Sequence, residues 1–193
     1  MAFLIEAIGA GRLAEYASVP TVCEVRSRID VGNIGDGSGG LTLAERAVEN
    51  PYVKDYDSYV GGPCEWAKRF DLSRWGLWIA RDGADVVGGA AVVWGDPAVE
   101  MAENQREMAV LWDIRVRPTN RRRGVGTALF REAAIWASRK GCRVLQIETQ
   151  DVNVAACRFY MGMGCILARI DRLAYRGCAA VAGEIMLIFN LAL

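Results

Sequence analysis

Histidine is absent from all 193 residues. That removes the commonest general base, the commonest metal ligand and every Ser-His or Cys-His relay. Any chemistry falls to carboxylates, tyrosines, cysteines or backbone dipoles. Cysteine is present but never as a CxxC pair: Cys23, Cys64, Cys142, Cys157, Cys165 and Cys178 are scattered, which argues against a zinc or redox clip. They read as small buried hydrophobes in a reducing compartment, and no metal is expected. Net charge is also missing, because 23 basic residues balance 23 acidic ones. No global field therefore points to nucleic acid or to an anionic membrane. No apolar run is long enough to span a bilayer. The opening Met1–Ala10 is interrupted by Glu6 and lacks a basic n-region, unlike a secretory signal. These absences predict a cytoplasmic protein.

What is present fits one well-cored domain over residues 1–193, with 52% apolar and 24% charged residues. Gly32–Gly40 (GNIGDGSGG) predicts a mobile loop. The extended stretch Leu41–Glu49 follows, and Asn50-Pro51 predicts a break. Cys64–Phe70 predicts a short helix entered through Pro63. Leu77–Arg81 and Val86–Trp94 flank Asp82-Gly83, a hairpin signal. Met108–Arg117 predicts a strand with its even positions apolar, and Pro118 ends it. Gly126–Arg139 carries Leu129, Ala133, Trp136 and Ala137 at helical spacing, and Gly141 stops it. Val144–Thr149 predicts a strand, Asn153–Met163 a helix closed by Gly164, and Ile166–Tyr175 and Glu184–Leu193 two more strands. A strand-helix-strand crossover is right-handed, so strands 108–117 and 144–149 are expected to lie parallel. The expected architecture is α/β, with a mixed and mostly antiparallel sheet.

The most informative run is Arg121-Arg122-Arg123-Gly124-Val125-Gly126-Thr127, between a strand and a helix. The first amides of a helix point outward with about half a positive charge. Gly124 and Gly126 let an anion approach them, and three arginines add cationic reach. A pyrophosphate suits such a loop. A Walker loop would need Lys followed by Ser or Thr, and a dinucleotide fingerprint a third glycine; both are missing.

The run resembles the signature of the GNAT N-acetyltransferases, Arg/Gln-x-x-Gly-x-Gly/Ala, through Arg121, Gly124 and Gly126. The preceding LWDIRVRP, the following LQIET and the helix NVAACRFYMGMG agree in order and spacing over Val110–Cys165. WDIRV, IETQDVNVAACRFY, IDRLAY over Ile170–Tyr175 and Pro51–Tyr56 narrow the resemblance to the streptothricin acetyltransferase branch. Cys165 departs from it, since the family usually has an aromatic there. The resemblance implies a GNAT-like fold with a splayed central pair of parallel strands and flanking helices. It implies a cofactor core over about 75–193 and a substrate-side portion over 1–74.

It further implies acetyl-CoA as donor and a small cationic amine as acceptor. Backbone groups of Ile114, Arg115 and Val116 would pair with the pantetheine arm, and loop amides over Arg122–Thr127 would hold the diphosphate. Asn153 matches the family's pantetheine-contacting asparagine; Ala156 and Phe159, on the same helix, are counted on the cofactor side. Tyr160 matches the tyrosine that protonates the leaving thiolate. With no histidine, the base candidates are Glu148 and Asp113; Glu148 is favoured, with Asp113 as amine-binding anion. Strand parity puts Glu148 on the face of Val144 and Gln146. Trp112, Tyr56 and Tyr175 are candidate substrate contacts, and Lys54, Asp55, Tyr56 and Tyr59 a candidate lip. The plain alternatives are a solvated arginine run, carboxylates satisfied by Arg115 and core aromatics. Rival functions are protein or peptide N-acetylation, a non-catalytic CoA sensor and, least favoured, an RNA-binding domain. A homodimer is compatible with the resemblance.

Overall fold

The structure, a computed structural model, describes residues 3–99 and 106–193, with the side chains of residues 59 and 60 outside that set. In chain order the elements are β1 (Leu4–Ala7), α1 (Leu13–Ala17), β2 (Val22–Asn33), β3 (Leu41–Asp55), α2 (Asp57–Val60), α3 (Trp66–Arg69) and β4 (Trp75–Asp82). Then follow β5 (Asp85–Val93), β6 (Met108–Val116), α4 (Val125–Arg139), β7 (Val144–Gln150), α5 (Val154–Gly162), β8 (Ile166–Asp171) and β9 (Met186–Ala192). The chain forms two compact units, one of residues 1–22, 55–147 and 190–193, the other of residues 23–54 and 148–189.

In the first unit β1 pairs antiparallel with β4, β4 with β5 and β5 with β6. The parallel pair expected from the crossover is present, running from Met108↔Val144 to Leu111↔Ile147. The β5–β6 ladder carries a bulge: Leu111 pairs with Val92 and Asp113 with Ala91, leaving Trp112 as the extra residue. An extra residue inverts the alternation beyond it. Strict parity over 108–117 would set Asp113 and Arg115 opposite Val110, whereas the bulge turns them to Val110's face. That face carries the core of Tyr16, Trp66, Trp75, Leu77, Ile79, Ala91, Val93 and Val110. Trp112 packs at its rim, edge-on to Trp75 at 5.4 Å and to Phe70 at 5.2 Å between centroids. The opposite face is covered by α4 through Val125, Leu129, Phe130, Ala133 and Ala137, its buried stripe.

The second unit holds the β2–β3 hairpin, α5 and β8. Two expectations change here. Asn50-Pro51 does not break the chain; β3 runs through it, and a strand in a two-stranded sheet tolerates proline wherever its nitrogen faces away from the partner. The glycine-rich segment falls in the loop between β2 and β3, where Ile34 N donates to Gly40 O at 3.0 Å. β8 stops at Asp171, whose carboxylate accepts from Leu173 N at 2.8 Å and turns the chain. The cysteine reading also needs correction: Cys142, Cys157 and Cys165 are buried, but Cys64 and Cys178 are exposed. Among the described residues no helix is long and apolar enough to cross a membrane.

Candidate active site

In the first unit, β6 runs on to Val116, with Asp113–Val116 laddered to β5. Residues 118–120 then make one 3-10 turn. Two unusual dihedrals follow: Arg122 lies at φ 63°, the non-glycine residue with positive φ among those described, and Gly124 at φ 87°. The first helical bond is Ala128 N to Gly124 O at 3.0 Å, and Gly124 has no side chain with which to cap the helix. The amides of Val125, Gly126 and Thr127 are thus left at the mouth of α4. A Cβ built on Gly124 would meet nothing within 4 Å, so the approach is open. A diphosphate fits this donor set: left-handed residues beside a helix start aim successive N–H groups outward.

The arginines divide their work. Arg121 binds Val116 O at 3.2 Å and Val22 O at 2.6 Å, and Arg123 binds Asp82 at 3.2 Å. These two fasten the loop. Arg122 is exposed and has no partner among the described residues.

On the core face of the same unit, Asp113 accepts from Tyr16 Oη at 2.5 Å and from Arg115 Nε at 2.8 Å. Arg115 is buried, forks onto Asp57 with two 3.0 Å bonds, donates to Val19 O at 3.0 Å and lies 5.1 Å over the Tyr16 ring. Burial and then the Asp113 charge push the Tyr16 phenol well above its ordinary pKa, so it stays a donor. The sheet makes room at Gly89, where a Cβ would come within 2.6 Å of the Tyr16 ring. Two carboxylates against one guanidinium leave this network with one surplus negative charge. Asp113 is therefore engaged, and Arg115 presents only its backbone as a candidate cofactor contact. Tyr56 is half-buried beside Asp57, its hydroxyl enclosed.

In the second unit, burial alternates along the end of β7, with Glu148 and Gln150 on the half-buried face. Glu148 Oε1 accepts from Tyr175 Oη at 2.7 Å, and Gln150 Nε2 donates to the same hydroxyl at 2.8 Å. Two predicted site residues, Glu148 and Tyr175, are thus in direct contact. Asn153 caps α5, its Oδ1 accepting from Ala156 N at 3.2 Å. Tyr160 is buried between Phe159 at 5.5 Å and Phe189 at 6.0 Å. Lys54 is not part of a lip; it is buried and paired with Glu184. The Tyr59 side chain lies outside the described residues.

Sequence reasoning missed Tyr16, Asp57 and Gln150. Gln150 was within reach, being two residues from Glu148 on one strand face. Tyr16 and Asp57 had no local signal, since they meet β6 from 97 and 58 positions away.

A mixed sheet with a parallel pair, followed by an open amide cradle at a helix start, defines an α/β protein built to hold a phosphate-bearing ligand. The chain belongs to the acetyltransferase (GNAT) family, which matches residues 43–164. It is 34% identical over 143 residues to the streptothricin acetyltransferase of Streptomyces lavendulae, covering 73% of this chain and 71% of that one. It is 36% identical over 77 residues to streptothricin acetyltransferase A of Bacillus subtilis (strain 168), a match that spans only 44% of that relative. A Bacillus anthracis str. Ames protein assigned as a streptothricin acetyltransferase, solved with acetyl coenzyme A, superposes with TM-score 0.78 at 22% identity over the whole of both chains.

Proposed function

We propose that this chain moves an acetyl group from acetyl-CoA to a primary amine of a small cationic acceptor of the streptothricin type. The observation that carries the reading is the amide cradle at the start of α4, open at Gly124, in a chain of the acetyltransferase family. The S. lavendulae relative, matched over most of both chains, supports the acceptor class. The family match crosses both compact units, which supports their working as one acetyltransferase domain. We place the protein in the cytoplasm, acting on a small molecule with no nucleic acid partner.

When bound, the cofactor supplies a thioester carbonyl and a thiol leaving group. The amides of Val125, Gly126 and Thr127, with Arg122, would hold its diphosphate; Ile114–Val116 would offer backbone groups to its arm, and α5 would contribute Asn153, Ala156 and Phe159. Fixing the reactants in place removes most of the entropic barrier. An amide of the Ile114–Val116 edge would donate to the thioester carbonyl oxygen. An alkyl ammonium has a pKa of about 10.4, so the acceptor needs a base at neutral pH. Glu148 takes that proton. Asp113, already holding Tyr16 and Arg115, adds with Asp57 the negative charge that draws the cationic acceptor, beside Trp112 and Tyr56. The Tyr160 hydroxyl would give a proton to the leaving thiolate.

The test is thiol release from acetyl-CoA with streptothricin and a panel of simple amines, together with calorimetry of cofactor binding. Turnover strongly favouring streptothricin is expected. Cofactor binding with no thiol release on any amine would replace this reading with a sensor.

A further inference from the structure

We infer that Tyr175 is a positioning residue for Glu148, its hydroxyl engaging one carboxylate oxygen and leaving the other for the acceptor amine; this rests on the reading of Glu148 as base. Glu148 and Gln150 share a face of β7, and the Tyr175 hydroxyl reaches both, at 2.7 Å and 2.8 Å. The Gln150 Nε2 group can only donate, so the phenolic hydrogen is left for Glu148. A hydroxyl has one hydrogen, and here its direction is set. Burial and then the Glu148 charge hold the Tyr175 phenol far above its ordinary pKa, so it remains neutral and donating. Oε1 is thereby engaged, which orients Oε2.

Tyr175 sits in the turn after β8, and that segment is fastened to the hairpin of its own unit. Arg172 donates to Val31 O at 2.8 Å and to Asn33 Oδ1 at 3.2 Å. Arg28 donates to Gly183 O at 2.9 Å, and the buried Lys54 pairs with Glu184. Ile185 N donates to Asp151 Oδ1 at 2.8 Å, closing the far end of the segment. The β2–β3 hairpin thus acts as the brace for a tyrosine that steadies the base. A tyrosine held at both ends of its loop keeps one geometry, which is what a positioned base requires.

The experiment compares Tyr175→Phe, Glu148→Gln and the double variant with acetyl-CoA and streptothricin. Tyr175→Phe should lower kcat by about 10- to 100-fold while KM for acetyl-CoA, its calorimetric affinity and the melting temperature hold. On the Glu148→Gln background the same change should cost nothing further. A Tyr175→Phe kcat within twofold of wild type, or an equal loss on both backgrounds, overturns the inference. If Glu148→Gln itself turns over normally, the base reading has failed and the inference falls with it. Should Tyr175→Phe not fold, Gln150→Leu keeps the phenol and removes the donor that sets its direction. A smaller kcat loss that vanishes on the Glu148→Gln background is expected; an unchanged kcat counts against the proposal.

Discussion

Gly124 and Arg122 separate two ways of holding an anion. Arg122 offers charge from an exposed side chain, and exposed ion pairs contribute about 0–1 kcal/mol. Gly124 offers backbone, since its φ of 87° is what sets the start of α4. An L-residue in that region costs about 1–2 kcal/mol and would shift the amides behind it. Gly124→Val should therefore weaken acetyl-CoA binding by at least about tenfold, and Arg122→Ala by a few-fold at most. Calorimetry on both variants decides; the reverse ranking would mean that the loop works by its arginines. Glu148 gives a second prediction at this scale. Glu148→Gln removes the proposed base without changing shape, so turnover should fall by about 100-fold or more while the cofactor still binds.

At the scale of elements, the bulge in β6 does most to shape the buried network around Tyr16. It turns Asp113 and Arg115 toward Tyr16, and Gly89 on the neighbouring strand leaves space for that ring. Gly89→Ala should lower stability by about 1–3 kcal/mol through overpacking against Tyr16, measured as a shift in urea midpoint. Tyr16→Phe keeps the ring and removes one donor, so a smaller loss of about 1–2 kcal/mol is expected. A neutral Gly89→Ala would mean that the ring is not confined there. The bulge also marks the limit of what the sequence could convey. Strand, loop and helix over 108–139 were legible because periodicity and glycine placement are local signals. So was the β4–β5 hairpin at Asp82-Gly83. The bulge was not, because it depends on how β6 registers against β5, and alternation read along one strand cannot register an inserted residue. Tyr16, Asp57 and the bracing of Tyr175 were hidden for the same reason: each is a contact made across the fold.

Taken whole, the molecule carries two features that bulk measurement can read. The first is its thiols. Cys64 and Cys178 are exposed, whereas burial pushes Cys157 up to about 12 and Cys165 up to about 11. A thiol-disulfide reagent at neutral pH should label Cys64 and Cys178 quickly, and Cys142, Cys157 and Cys165 only on unfolding. The second is acid response. Glu6, Arg12, Glu15 and Arg81 form a solvated ion network tying β1, α1 and β4 together. Bonding to Arg12 lowers Glu15 from its ordinary 4.5 to about 2, and Glu6 is lowered too, first by Arg12 and then by Arg81. A carboxyl lowered on folding adds stability above its unfolded pKa and loses it as pH falls through the folded one. Melting temperature should therefore hold between pH 7 and about 5, then decline from about 4.5 towards 2. Glu15→Gln removes that titration, so its curve should converge on the wild-type curve in acid and lie below it at neutral pH. Two curves that stay parallel from neutral to acid would show that the network contributes nothing to folding.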